Sequence, residues 1–488
     1  MKLHIASFFS FLKKNLFPKK EDIELIQNSA TSKSKIFLIL SIFISAIFFL
    51  HILMYISALF SEEVPDYGGT IREGVIGAPK YINPFLASTE TDQLITSLVY
   101  GGLMKKNDNG SLSPYIAKSC EESPDRKSYQ CVLPENAVFS DKSPLTADDV
   151  VFTFETKQKI MLQKDPISDW SSISALSSDI RTVVIKTTGS IESLEDKMTL
   201  GIVPKYLWSS VPTESFEDST LNMKPVGIGP FVVEKVKVVN TIPTEVFMSR
   251  NNKWHGDKSF INELVVVSYA NQLDLKSGLK NGDINSTSSL RGVYIDDSIR
   301  NKFSIENIYT TKNVGIFINT KDIGGKIEKA LKNVDQLIDK KNIVDTIENG
   351  YGILPISLEE SSPNTAEQNI DITIAVLKDT DLIKTAELIS TNLKDFGIIS
   401  TINVFDQGLF NDQLSQGGYS LVLGINIDKN KGYKELIPLY KKSIIQISSK
   451  EIHARTPQVV ESPHESLREI TSWYKNTDFV WKWFTNKK

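Results

Sequence analysis

Along this chain the apolar positions fall into three patterns, an unbroken run, a period near 3.6 and a period of two, and each predicts a different element. The unbroken run is IFLILSIFISAIFFLHILMYISALF, 25 residues at 36–60 without an acid, lysine or arginine. At about 1.5 Å per residue it is long enough to cross a bilayer core of about 30 Å, so it predicts a transmembrane helix. Lys13, Lys14, Lys19, Lys20, Lys33 and Lys35 precede it, and Glu62, Glu63 and Asp66 follow it. That asymmetry places residues 1–35 in the cytoplasm and the bulk of the chain outside. The competing reading is a secretory signal peptide, whose apolar core runs about 7 to 15 residues and ends in a small-residue cleavage site; ISALFSEE offers only a weak one. No cysteine lies near the end of the run for lipid attachment. The expectation is that the helix itself holds the protein. The lead carries IASFFSFLKKNLF, either an amphipathic segment on the inner membrane surface or simply the flank of the anchor.

Residues 61–69 contain Pro65 and Gly68-Gly69 and read as a linker to the first strand, TIREGVIG. SYQCVLPENAVFSD alternates as β-structure, RTVVIKTT reads as a strand, and GPFVVEKVKVV followed by TEVFMSR reads as an antiparallel pair. The 3.6 period predicts helices in TADDVVFTFETKQKI, KIEKALKNVDQLID and KTAELISTNLKDFG, the last followed by the strand-like IISTINVF and then YSLVLGINI. Helices and strands mix without internal repeats, which argues for α/β architecture.

The adjacent acids of LTADDVVFTFE, Asp148 and Asp149, invite a catalytic reading. Neighbours on a helix point about 100° apart, so they do not face one cleft. Thr146 followed three residues later by Asp149 is instead a capping-box-like pair, and an acid there suits the positive end of the helix dipole. The acids are read as helix grammar. No GxSxG, HExxH, GxGxxG or GxxxxGK is present, and the five histidines, at 4, 51, 255, 453 and 464, show no metal-ligand spacing. No enzyme, no metal site and no cofactor is expected. At 488 residues the chain has room for two or three domains. A net charge of −4 gives no basic footprint, so no nucleic acid is expected. Cys120 and Cys131 flank EESPDRKSYQ; a hairpin turning at Asp125-Arg126 sets them opposite each other, as a disulfide in an oxidising exterior or as two packed thiols.

Seven segments, taken in order, carry a resemblance: GGTIREGVIGAPKYINPFLAS, LVYGGLM, LTADDVVFTFE, KPVGIGPFVVEKV, NNKWHGDKSFINELVV, NGDIN, and GIFINT with ALKNVDQLIDKKNIVDTIENGYG. Together with the closing SWYKNTDFVWKWF, they resemble the family 5 extracellular solute-binding proteins, the oligopeptide, dipeptide and nickel receptors of ABC importers. The resemblance implies an α/β, class II periplasmic-binding-protein-like fold, two lobes plus an extra subdomain, here preceded by one transmembrane helix. It implies a first lobe from 61–105 (linker included), 212–318 and 455–488, an additional subdomain at 106–211, and a second lobe at 319–454. Asn83, Pro84 and Phe85 match the family's first-lobe loop beside the ligand cleft, Tyr100 and Gly101 the helix end beneath it, and Asp428 the second-lobe acid that holds a ligand's α-amino group. After Asp428 the family's aromatic-rich stretch is replaced by KNKGYKELIPLYKKSIIQI, without tryptophan. The function this resemblance implies is that of a membrane-anchored, monomeric receptor that captures short peptides or other small solutes for ABC permease subunits; the alternative is a non-transporting sensor or binding module with an eroded second lobe.

Overall fold

The computed structural model describes residues 31–107, 110–319, 337–355, 370–416, 419, 421–425, 427 and 433–481. Its main sheet contains, in chain order, β1 (Thr70–Ile76), β2 (Phe231–Val239), β3 (Ile242–Arg250), β4 (Glu263–Tyr269), β5 (Ser286–Thr287), β6 (Phe303–Asn319), β7 (Ile370–Leu377), β8 (Ile398–Phe405), β9 (Leu421–Ile425) and β10 (Tyr433–Ser449). Across the sheet they lie in the order β8-β7-β9-β6-β10-β5-β1-β4-β3-β2.

The 17-residue strands β6 and β10 organise this sheet. They run antiparallel from Phe303 opposite Ser449 to Asn319 opposite Tyr433, about 55 Å of ladder at roughly 3.3 Å per residue. That is longer than one lobe needs, so each end serves a different one. Toward one end β10 pairs with β5, which runs parallel to β1; toward the other, β6 pairs antiparallel with β9, and β7 and β8 continue in parallel. Between the ends the register slips from Tyr309 to Asn313, and again beyond Val314, the irregularity that bends and twists a ladder.

Around the first end, β1 and β4 pair in parallel and β2–β3 forms the expected antiparallel hairpin. The Gln272–Asn281 helix packs on β1 because Gly74 carries no Cβ, which would strike Ile284 and Leu275. Asn271 caps that helix by accepting from the amides of Leu273 and Asp274, and Gly282 ends it at φ 82°, a conformation that glycine adopts without strain. Around the second end, the Thr380–Lys394 helix, capped by Asp379, buries Leu382, Ala386, Ile389 and Leu393 against Ile374, Val376 and Leu423.

A separate four-stranded sheet, in the order Ser119–Glu122, Ser128–Val132, Thr182–Thr187, Ile173–Ser177, packs on the Ala147–Lys164 helix through Val150, Phe154, Val183 and Ile185. The hairpin turns at Asp125-Arg126, with Arg126 at φ 55°. Cys120 sits directly opposite Cys131, and the two form a disulfide. The helix begins with the expected capping box: Asp149 accepts from the Thr146 amide at 2.8 Å. The same residue's carboxylate accepts from the Lys205 amide at 2.8 Å, and Asp148 pairs with Lys205 at the surface. Both acids are structural.

Three expectations change. The linker residues Ser61–Asp66 form a strand paired with Asn476–Trp481. SYQCVLPENAVFSD keeps strand geometry only to Val132, then a single bridge at Val138, because Pro134 cannot donate to a ladder. Among the described residues of YSLVLGINI, the strand covers Leu421–Ile425. Most of KIEKALKNVDQLID lies outside the described residues.

The chain divides into two units, Pro65–Asn476 and a smaller one of Met1–Val64 with Thr477–Lys488. In the smaller unit Ser32–Phe60 is one helix, and its segment Ile36–Tyr55 is long and apolar enough to cross a membrane by length and composition.

Candidate functional site

The Glu90–Val99 helix begins where Thr89 accepts from the Asp92 amide, and it ends at Tyr100. Its apolar positions, Leu94, Ile95, Leu98 and Val99, enter the first-lobe core. Between them Gln93, Thr96 and Tyr100 recur at i, i+3 and i+7, which puts them on one face. That face borders a cavity of about 570 Å³. Opposite stands the segment 461–471, which supplies Glu461, His464, Glu465, Leu467 and Arg468; the sides are made by Met104–Lys106, Tyr115 and Asp196–Gly201.

Glycines let these walls approach one another. A Cβ on Gly102 would strike the backbone of Thr199, one on Gly101 would strike Ile116, and one on Gly201 would strike Tyr100. The Gly101 carbonyl accepts from the Ile202 amide at 2.9 Å, which ties the loop after the helix to the far wall.

The charged lining is internally balanced. Lys106 bridges Glu461 at 2.6 Å and Asp196 at 3.0 Å across the mouth, and Arg468 pairs with Glu465 at 3.5 Å. Lys105 lies over the Tyr115 ring. Burial pushes the Glu465 carboxyl up and holds His464 at about 4, so that imidazole is neutral at physiological pH. Among the described residues, the Thr96 Oγ1 and Tyr100 OH atoms are buried and unbonded, turned away from the cavity that other atoms of the two residues line, and burial raises the Tyr100 phenol.

Of the residues expected at a ligand site, Pro84 and Tyr100 line this cavity. Asn83 stands behind it. Its Oδ1 accepts from the Phe85 amide and its Nδ2 donates to Asn222, so the residue ties a turn and is fully buried. Phe85 stacks on Phe216 in the core. Gly101 serves the close approach to Ile116. Asp428 lies outside the described residues. Lys157 holds the turn from below, donating to the carbonyls of Pro84 and Phe85, and burial pulls its ammonium down to about 8. The sequence did not reveal the far wall. VESPHESLREIT reads as a polar loop, yet Ser466, Leu467 and Ile470 are buried there. The stripe in QLITSLVY was visible as polar residues at helical spacing within an apolar run.

Two lobes joined by long crossing strands, with a third packed unit and a cavity of mixed polar and apolar lining, define a binding-protein architecture. The description of the bacterial extracellular solute-binding proteins, family 5 (middle region), matches residues 111–371, and the chain belongs to that family. It is 24% identical over 304 residues to the oligopeptide-binding protein AppA of Bacillus subtilis, an overlap covering 61% of this chain and 54% of that one. The chain thus spans about half the length of the curated relatives it matches. Among solved structures it is similar in fold to the same AppA in complex with a nonapeptide (TM-score 0.58, 17% identity, covering 85% of this chain and 100% of the other). It is also similar to the ABC transporter substrate-binding protein CtaP of Listeria monocytogenes (TM-score 0.66, 18% identity, 84% and 100%).

Proposed function

We propose that this protein is a membrane-anchored, extracytoplasmic receptor that captures short peptides and delivers them to an ABC-type importer. The observation that carries the proposal is the family match over 111–371, together with a relative that is an oligopeptide-binding protein. The apolar helix at Ile36–Tyr55, with lysines before it and acids after it, supports the anchor and its orientation. The disulfide suits an oxidising exterior. In this reading the first lobe comprises 61–105, 212–318 and 455–488, the subdomain 106–211 and the second lobe 319–454. The solute is held between the lobes, with Pro84 and Tyr100 on the first-lobe wall, Asn83, Phe85 and Gly101 positioning them, and Asp428 taking a ligand ammonium. Permease subunits are the partners, and the receptor acts as a monomer.

Deleting residues 61–488 from the chromosomal copy should abolish uptake of a labelled tripeptide while leaving amino-acid uptake intact; unchanged peptide uptake would remove the transport role. For the anchor, the intact mass of the membrane-extracted protein should include residues 36–60, and the protein should resist a high-salt wash. A soluble species starting near Ser61 would overturn that topology.

A further inference from the structure

The two ends of the crossing strands also touch through charged side chains. Arg291 lies between Leu290 and Ile295, which are buried in the core around the Gln272–Asn281 helix, and its amide donates to Gln272 at 2.9 Å. Its guanidinium donates to the carboxylate of Asp381. Asp381 belongs to the other end: it stands in the first turn of the Thr380–Lys394 helix, beside Leu382, which is buried in the second core. Lys442 approaches the same carboxylate to 3.9 Å. It comes from β10 at the register slip, where its carbonyl accepts from Thr310 Oγ1 at 2.7 Å. Next in the chain to Arg291, Gly292 lies so close to the Glu348 carbonyl that a Cβ would strike it, and the Gly292 carbonyl accepts from Asn349 Nδ2 at 2.7 Å. Glu348 directly follows the Lys340–Ile347 helix, whose Ile343, Val344 and Ile347 enter the second core.

The helix does not need the Asp381 carboxylate. Its cap is Asp379, whose side chain accepts from the amides of Asp381 and Leu382. The Asp381 carboxylate is left facing two cations, one from the first end and one from the slip in the crossing strands. Its side chain is 18% exposed, that of Lys442 22% and that of Arg291 43%. The pairing with Arg291 exists only while the two ends stay together, so it contributes differently to the closed and parted arrangements and shifts the balance between them. We propose that Arg291, Asp381 and Lys442 form an electrostatic latch that holds the two lobes together before any solute is bound, and that rising ionic strength releases it. Lys442 keeps Asp381 turned toward the strands, and Arg291 closes on it from the other lobe. Salt acts on the latch because Arg291 remains reachable by counterions. The latch sets the fraction of receptor already closed when a solute arrives, and with it the apparent affinity for that solute.

The test measures the separation of the lobes in the full-length protein in detergent, with no solute added, so its outcome is independent of the peptide-receptor reading. Spin labels go on Ser277→Cys, on the Gln272–Asn281 helix, and Thr391→Cys, on the Thr380–Lys394 helix; both positions are exposed, and the native cysteines are bonded to each other. Pulsed dipolar spectroscopy then gives the populations of closed and parted lobes. Arg291→Met keeps the stem and removes the charge; it should raise the parted-to-closed ratio by about two- to fivefold, the scale of a partly exposed ion pair. Asp381→Asn should do the same, the two together should do no more than the larger single effect, and Arg291→Lys should restore most of the wild-type ratio. Raising salt from about 0.1 M to about 1 M, which cuts the screening length from about 10 Å to about 3 Å, should part the lobes of wild type and leave the Arg291→Met populations in place. A single separation in every sample, or two in a ratio that neither substitution nor salt changes, would overturn the latch. Additive effects of Arg291→Met and Asp381→Asn, or an equal salt response in wild type and Arg291→Met, would overturn it as well.

Discussion

Glu73 lies in β1, where the first-lobe sheet meets the crossing strands, and it is fully buried. Its Oε1 accepts from the Ser288 amide at 2.9 Å and from the Ser288 hydroxyl at 3.3 Å, while Oε2 has no partner among the described residues. Across from it Gln446 donates to Ser286, and its own Oε1 is likewise unpaired there. No cation pairs with the carboxyl among the described residues. Burial raises its pKa from 4.5 to about 7, against the opposing pull of the Ser288 hydrogen bonds and of the nearby polar groups of Ser286 and Gln446. A carboxyl raised in the folded state keeps its proton longer there than in the unfolded chain, so stability falls as pH rises through this window. A rise of about 2.5 units at roughly 1.36 kcal/mol each gives a penalty of about 3 kcal/mol, absent below pH 4.5 and complete above pH 7. Glu73→Gln mimics the protonated form and replaces the unpaired oxygen by a donor near the unpaired Gln446 Oε1. Relative to wild type it should leave the melting temperature nearly unchanged at about pH 4.5 and raise it at about pH 8, on either side of the titration window. Scanning calorimetry of both proteins at the two pH values reads this directly, and taking the difference cancels every other titrating group. A difference independent of pH, or a glutamine variant less stable at the higher pH, would refute the argument.

Removing the disulfide with Cys120→Ala and Cys131→Ala should destabilise the subdomain by about 2 to 3 kcal/mol, the chain-entropy value for a separation of 11 residues, read as a lower urea midpoint. Asp149→Ala deletes the capping box and the acceptor for the Lys205 amide together. It should cost more than the roughly 1 kcal/mol of an ordinary cap, while Asp148→Ala, which removes a surface ion pair, should stay within about 0.5 kcal/mol by the same assay. Equal effects of the two would contradict the structural assignment.

How legible each feature was in the sequence depends on how locally it is encoded. The Thr146–Asp149 box and the hairpin turn at Asp125-Arg126 are each settled within a few residues, and both were legible. The strand Ser61–Asp66 was not, because its pairing partner lies at the far end of the chain, in Asn476–Trp481, and its Pro65 argues against a ladder. The second role of Asp149, toward Lys205, was hidden for the same reason. At the site, the family pattern named neighbouring residues without separating their packing roles. Pro84 and Tyr100 face the cavity, whereas Asn83 and Phe85 hold the turn from behind. The wall at 461–471 escaped notice because its 3₁₀ turns carry no helical period, and its burial depends on packing against the Glu90–Val99 helix, most of the chain away in sequence.

The central claim is that the folded chain is a receptor for peptides. Its most direct test is the melting temperature of the purified protein with and without a pool of unblocked di- to pentapeptides, since a ligand at about 100 times its Kd that binds only the native state stabilises by about 2.7 kcal/mol. A saturable rise in melting temperature with peptides, and none with the matching free amino acids, is expected. No shift with any peptide at millimolar concentration would contradict the account.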